Sequence, residues 1–447
     1  MKKKSLSSVS RALALALPVF ALIAAAAPAK AVESRKPFDR LRAGQTSSSF
    51  SSMTWGSGMP GVLAAVFMKR PRFTDFHSTA SVCSPTRASI MTGRYPQYDG
   101  LDTYISPVPG NTIGLDPENV TFPGLIKDVG YKTALFGKWH LGYEPKHNPL
   151  NYGFETFHGF LSGHVDYHSH YDRLGGFDWW HGREQKQEEG YTTHLITDKS
   201  VDFIKENADK PFFLMIAHEA VHFPLQGPTD PIQRGPDAKP HKPRNGKLVY
   251  KDMLQELDIS VGKIMDVVKE LNLENRTLIF FTSDNGPMPL STAGPLRGKK
   301  HSAYEGGHRV PTIAWWPETI KAGSVTDQLA ITMDLMPSIL ELAGTSVPED
   351  HQLDSVSLVD FFKNQEPFDR QSLFWRRAGK QADRTMREGQ WELILDKTDR
   401  IELYDLKADI GQKNNVAKMH PERSSKMEKE LLAWEDLVKP HLSYFKK

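Results

Sequence analysis

Leu254, Leu257, Val261, Ile264, Val268 and Leu271 recur at intervals of three and four, which lays one apolar stripe along a long helix. Leu335, Ile339 and Leu342 mark a second amphipathic helix, closed by Gly344. Short apolar runs lie at 131–136, 211–217 and 277–282, each bounded by breaking residues, the pattern of strands buried on both faces. Strands alternating with helices predict an α/β fold, a sheet with helices on both faces. From about residue 366 the texture changes to apolar runs at 391–395 and 401–406 and a charged last helix. The chain therefore divides into a main domain over 72–365 and a C-terminal subdomain over 366–447. No internal repeat is visible.

The N-terminus differs from the rest. Lys2-Lys3-Lys4, an apolar stretch at 12–27 and Ala29-Lys30-Ala31 predict a signal peptide over 1–31, cleaved after Ala31. The apolar run is short for a membrane anchor, and no second hydrophobic span follows. Residues 32–71 are atypical: Ser- and Gly-rich sequence of loop or disordered character at 45–58, then one apolar run at 62–68 followed by Lys69-Arg70. The mature chain is expected to be soluble, and periplasmic or secreted from a bacterium.

Composition narrows little else. Lys and Arg number 56 against 54 Asp and Glu, a net charge of +2, so no nucleic-acid footprint is visible. The single cysteine matters more, because an exported protein with one thiol can form no internal disulfide. A small buried hydrophobe is the ordinary role of such a residue. Cys83-Ser84-Pro85-Thr86-Arg87 points elsewhere. Pro85 suits a helix N1 position and Gly93 a helix stop, which places Cys83 where backbone N–H groups and the helix dipole favour an anion. Arg87, one turn on, adds forked donors suited to an oxyanion.

The run Cys83-Ser-Pro-Thr-Arg87-Ala-Ser-Ile-Met-Thr-Gly93-Arg94 resembles the type I sulfatase signature C-x-P-[ST]-R-x-x-x-x-T-G-R, whose cysteine is oxidised to formylglycine by a maturation enzyme. The resemblance implies the alkaline-phosphatase-like α/β fold with a small C-terminal antiparallel sheet and helix. It also implies hydrolysis of a sulfated carbohydrate or aryl sulfate. The chemistry explains why the thiol must go. A thiolate attacking sulfate gives an adduct with no easy exit, whereas a hydrated aldehyde attacks through one hydroxyl and expels sulfate as the other re-forms the carbonyl.

Four further constellations follow, each after an expected strand, where open α/β sheets place their sites. Gly137-Lys138-Trp139-His140-Leu141-Gly142 resembles the family element in which Lys138 would hold the sulfate and His140 would act as base. In His218-Glu-Ala-Val-His222-Phe-Pro224, His222 matches the histidine that contacts the leaving oxygen. His218 and His222 also mimic a zinc pair at i, i+4, but Pro224 argues against a helix there. Ser283-Asp284-Asn285-Gly286 alone is a turn, and in the family the Asp-Asn pair binds Ca²⁺ beside residue 83, with Mg²⁺ a second possibility. Leu296-Arg297-Gly298-Lys299-Lys300 with Tyr304-Glu305-Gly306-Gly307 resembles the family's L-R-G-x-K-x-x-x-[WY]-E-G-G element, which would place the sulfate-binding lysine at Lys300, while Lys299 reads as solvated. The metal ligands implied are Cys83, Asp284 and Asn285.

The resemblance covers roughly 72–435 and fails before it. Members of the family begin with a buried strand ending in two adjacent aspartates, and no Asp-Asp pair occurs in this sequence. Asp39 and Asp75 are the remaining candidates without motif context. The loss predicts an under-ligated metal and a more positive pocket. Two alternatives therefore stay open: a degenerate relative that binds sulfated glycans, and a phosphomonoesterase or phosphonate hydrolase on the same fold. The aromatic segments Gly159–Tyr167 and Asp178-Trp179-Trp180-His181 could stack on a sugar or phenyl ring, or equally be core.

Overall fold

The structure, a computed structural model, describes the backbone of residues 19–24, and residues 72–438 apart from 240, 241, 243, 371 and 378–382. In chain order the strands are β1 (Val19–Ala24), β2 (Arg72–Phe73), β3 (Phe76–His77), β4 (Lys132–Lys138), β5 (Thr156–Phe160), β6 (Trp180–His181), β7 (Glu184–Gln185), β8 (Phe212–Ala217), β9 (Leu278–Ser283), β10 (Thr312–Trp315), β11 (Val325–Thr326) and β12 (Ala330–Ile331). Four more follow, β13 (Ser372–Arg376), β14 (Arg384–Glu388), β15 (Trp391–Leu395) and β16 (Ile401–Asp405). The α-helices are α1 (Cys83–Thr92), α2 (Phe122–Asp128), α3 (Thr192–Glu206), α4 (Gly246–Glu270), α5 (Glu305–His308), α6 (Leu335–Ala343), α7 (Val359–Asn364) and α8 (Pro421–Leu437).

The main sheet has ten strands in the order β11-β2-β10-β9-β1-β8-β4-β5-β6-β7. Strand β4 runs parallel to both β8 and β5, and β1 runs antiparallel to both β8 and β9. Hence β5, β4, β8 and β9 all point the same way, and their C-terminal ends share one edge. Alternation along the strands sends side chains to two cores. Leu214, Ile216, Ile279 and Phe281 pack on one face with Ile196 of α3 and Leu254, Leu257 and Ile264 of α4. Phe213, Met215, Leu278 and Phe280 pack on the other with Ala88 and Met91 of α1, Ile126 of α2 and Met336 of α6. Both faces are covered at the centre of the sheet, so β8 is apolar throughout and β9 over 278–281.

The C-terminal sheet is antiparallel in the order β13-β14-β15-β16. Leu373, Met386, Leu393 and Leu403 from it close a core with Met427, Leu431 and Trp434 of α8. Helix α4 begins eight positions before the first residue of its sequence stripe, capped by the Asn245 side chain accepting from the Lys247 N–H. Helix α6 ends at Gly344, left-handed at φ 73°, as its position in sequence required.

One segment took a place that sequence reasoning did not assign it. The apolar run expected as the core of an export signal contributes β1, hydrogen-bonded on both sides, with Val19 opposite Ser283 and Ala24 opposite Phe213. A leader core and a strand buried on both faces share one requirement, an uninterrupted apolar run, and the pattern alone does not separate them. The remaining N-terminal features, Asp39 and the runs at 45–58 and 62–68 included, lie outside the described residues.

Candidate active site

Cys83 is the first residue of α1, with Val82 extended at the N-cap. The helix therefore starts two residues before the expected position, and Pro85 falls third in its first turn, where no intrahelical N–H bond is lost. Gly93 ends it, left-handed at φ 67°. The whole helix is buried, so the thiol sits at a dry helix N-terminus.

The strand ends bring the other residues to it. Lys138 is the last residue of β4, and Asp284 follows directly on β9. Arg87 Nε donates to Asp284 Oδ2 at 3.0 Å, and its Nη1 donates to the Lys138 carbonyl at 2.6 Å. Lys138 Nζ stands 4.0 Å from the same Asp284 oxygen. Burial pushes the Asp284 carboxyl up, but Arg87, Lys138 and Lys300 outweigh it and hold the pKa below the ordinary value. Burial works against the cations too, lowering Arg87 and Lys138. The Cys83 thiol shows the net field: burial would raise its pKa, yet Lys138, Lys300 and His140 bring it well below that of a free thiol.

His140 and His222 flank the sulfur differently. His140 sits at φ 60°, a left-handed conformation that costs a non-glycine residue roughly 1–2 kcal/mol. Its Nε2 donates to the Ile105 carbonyl at 2.8 Å, so Nδ1 carries no proton in the neutral ring, and burial keeps the ring neutral. That buried Nδ1 finds no nitrogen or oxygen partner and is left to the Cys83 thiol, which interacts with this ring. Gly163 makes room for the ring, since a Cβ there would come within 2.8 Å of it. His222 Nδ1 donates to the Phe223 carbonyl at 3.1 Å, and Lys300 Nζ donates to His222 Nε2, also at 3.1 Å. Burial, reinforced by Lys300 and Lys138, lowers the His222 pKa well below its usual value.

Two alternatives from sequence are resolved by these partners. Lys299 Nζ is tied to the Pro289 and Ser291 carbonyls at 2.8 and 2.6 Å, leaving Lys300 as the lysine that reaches His222. His218 turns away to Ser260 Oγ at 2.9 Å, so it forms no metal pair with His222. Asp75 is not at hand either, because His77, Arg309 and Arg387 occupy its oxygens. Tyr167 and Trp179 are fully buried, which makes them core rather than a stacking platform.

Asp284 Oδ1 and Asn285 Oδ1 are buried with no hydrogen-bond partner, while Asn285 Nδ2 is anchored on the Gly286 carbonyl at 2.9 Å. Two orphaned hard oxygens side by side fit a divalent cation such as Ca²⁺ or Mg²⁺. They do not fill its shell. Among the described residues, no cluster of three His, Cys, Asp or Glu suited to a metal includes Asp284.

A cavity of about 290 Å³ opens on this constellation, lined by Cys83, His140, His222 and Lys300 and, beyond the sequence-derived set, by Tyr104, His164, Arg173 and His301. His164 stacks on His222 with ring centroids 4.9 Å apart and accepts at Nδ1 from Arg234 Nη1 at 2.9 Å. Its only sequence signal was its place in the aromatic segment 159–167. His301 directly follows Lys300 within the element at 296–307, whereas Tyr104 and Arg173 sit in loops without a motif, and only the fold brings them near residue 83.

The sulfatase family profile matches residues 63–345, and a profile for the C-terminal region of N-sulphoglucosamine sulphohydrolase matches 299–436. The chain belongs to the sulfatase family. Among relatives of this chain, dog N-acetylgalactosamine-6-sulfatase is 32% identical over 329 residues, 68% of this chain and 61% of that protein. The human protein of the same name is 31% identical over 328 residues. The chain thus spans about 61% of the length of these relatives. Among solved structures, Ps i-CgsB in complex with k-i-k-neocarrahexaose superposes with a TM-score of 0.75 at 27% identity, covering 83% of this chain and 86% of that one. A phosphonate monoester hydrolase from Silicibacter pomeroyi shares the fold alone, with a TM-score of 0.58 at 19% identity.

Proposed function

We propose that this sulfatase hydrolyses a sulfate ester of a sugar, with residue 83 as nucleophile in its formylglycine form. The observation that carries the reading is the convergence of Lys138, Lys300, Arg87, His140 and His222 on Cys83 at the N-terminus of α1. The Cys83 sulfur stands in for one hydroxyl of the hydrated aldehyde. Lys138 and Lys300 would bind sulfate oxygens and stabilise the charge that builds as the ester bond breaks. Bare Nδ1 of His140 is placed to take a proton from residue 83, and the Ile105 carbonyl fixes the tautomer this requires. Lys300 and His222 share a proton where the departing alcohol needs one. Arg87 holds Asp284 and the end of β4 in position.

A divalent cation, calcium by expectation, would be held by Asp284 and Asn285 together with residue 83, and would supply Lewis-acid charge to the sulfate. The preference for a sugar over an aryl ester rests on the first relatives, which are named for a sulfated amino sugar, and on the complex with k-i-k-neocarrahexaose, although arylsulfatases are relatives too. On this reading the chain is exported and matured by a formylglycine-generating enzyme.

The deciding experiment is mass analysis of the peptide spanning residue 83, from protein made with a maturation system. An aldehyde that reacts with a hydrazide is expected. A peptide found solely as the free thiol removes the proposal.

A further inference from the structure

A second constellation lies at the opposite margin of the main sheet. His158 on β5 and His181 on β6 are cross-strand partners, so their side chains share one face, and their rings lie 4.2 Å apart between centroids. Glu188, in the segment leading to α3, brings Oε2 to 3.0 Å from His158 Nε2 and accepts a hydrogen bond from His181 Nε2 at 3.2 Å, the proton a metal would displace. The three residues form one of the two described clusters whose donor atoms all lie within 4.8 Å of one another.

The unusual member is His158. It is only 4% exposed, and its Nε2 is buried without a hydrogen bond, because the approach to Glu188 is close but misdirected. Burial holds this imidazole below its usual pKa, so the ring is neutral with a lone pair available. Trp179 Nε1 meanwhile donates to the same Glu188 oxygen at 2.9 Å, and the His170 ring stacks on that indole at 4.2 Å. A hydrogen-bonded support of this kind fixes a ligating carboxylate.

We propose that His158, His181 and Glu188 form a binding site for a borderline divalent metal, zinc being the best match. Separations of 3.0 and 3.2 Å are close to the roughly 3.3 Å edge of a tetrahedron with bonds of about 2.0 Å. Two imidazoles and one carboxylate suit zinc and do not suit calcium or magnesium, which take oxygen shells. Both histidines line a cavity of about 560 Å³ together with Asp202, Glu206 and Lys199 of α3, so water can take the fourth position. The metal cross-links the β5–β6 hairpin to the segment that enters α3. Because β5 runs on to Gly163 and His164 at the catalytic cavity, the site braces one wall of that cavity from behind.

The test uses the full chain, free of a histidine tag and stripped of metal, in a Cys83→Ser background so that the active-site thiol cannot take zinc. Excess calcium is present to occupy oxygen sites, and Zn²⁺ is titrated by calorimetry and by thermal unfolding. One equivalent is expected to bind with Kd of about 10⁻⁶ M or tighter and to raise Tm. His181→Ala and Glu188→Gln, both partly exposed, should each weaken binding by about tenfold or more without changing the circular dichroism. Absence of stoichiometric zinc, or unchanged affinity in both variants, overturns the proposal. Loss of aldehyde at residue 83 would leave it intact, so the two readings fail separately.

Discussion

Lys300 Nζ donates to His222 Nε2 across 3.1 Å, although 78 positions separate the residues. The contact sets one half-buried cation against one neutral, buried imidazole at the mouth of the Cys83 site. It also discriminates between adjacent lysines, since Lys299 spends its charge on two backbone carbonyls. Lys300→Met should therefore lower kcat by about 10²–10³, the usual loss when one donor to developing charge is removed. Lys299→Met should cost far less. Steady-state rates on an activated sulfate ester measure both, and equal losses would refute the assignment.

His140 predicts a different kinetic signature. If its Nδ1 removes a proton from residue 83 late in the cycle, His140→Ala should release about one equivalent of alcohol in a burst, followed by slow sulfate release. Lys300→Met should show no burst, because it impairs the first step. Matching time courses for alcohol and sulfate in both variants would contradict this division.

Acid should spare the catalytic histidines. Burial lowers the pKa of both His140 and His222 below the ordinary 6.5, so each loses its proton at a pH where a free imidazole still carries one. The neutral forms persist as pH falls through 6.5. The profile of kcat/KM should accordingly show no acid limb at the ordinary histidine value. An inflection near 6.5 that disappears in His140→Ala would show that the ring is not held neutral.

Stability should have its own pH dependence through Glu392. This carboxyl is fully buried, and burial together with the nearby Glu305 raises its pKa from 4.5 to about 7 against the opposing pull of His308 and Arg387. The folded protein then binds a proton that the unfolded chain has already released. Its stabilising contribution is full below about 4.5, and is lost as pH rises to about 7. Glu392→Gln should flatten that part of the stability curve, and urea midpoints at several pH values across the window test it. A slope unchanged by the substitution would place the proton elsewhere.

Much of this site was legible because its residues sit in contiguous motifs at strand ends. Lys138 ends β4, and Asp284 and His222 follow β9 and β8, where strand periodicity places the catalytic edge. His164, Arg173 and Tyr104 were not legible, since they reach the cavity from loops whose course depends on tertiary packing. The aromatic segment left two readings open for a related reason: nothing in sequence tells a ring stacked on ligand from one stacked on Phe160, as Trp179 is. The start of α1 was misjudged by two residues because proline is tolerated anywhere in a first helical turn.

The N-terminus yields the sharpest prediction. Strand β1 fills the slot between β8 and β9 with its N-terminal end at the catalytic edge, and the residues preceding it in sequence, 11–18, contain no carboxylate. Removing 1–31, as cleavage after Ala31 would, leaves two facing strand edges in the middle of the sheet with their backbone groups unpaired. A chain starting at residue 32 should therefore unfold at lower urea than the full chain. Neither should bind calcium tightly, because Asp284 and Asn285 alone leave the ion under-ligated. Replacing residues 1–71 with an apolar strand ending in Asp-Asp should fill the slot in the opposite direction and bring two carboxylates to the edge beside Asp284. Calcium should then raise Tm, by about 2.7 kcal/mol of added stability at a hundredfold excess over Kd, and turnover should rise with it. N-terminal sequencing of the protein from its native cells shows which natural form exists, and calcium titration of all three chains reads the rest. Tight calcium binding and fast turnover by the ungrafted chain would mean that other residues complete the site, and this account of the N-terminus would fall.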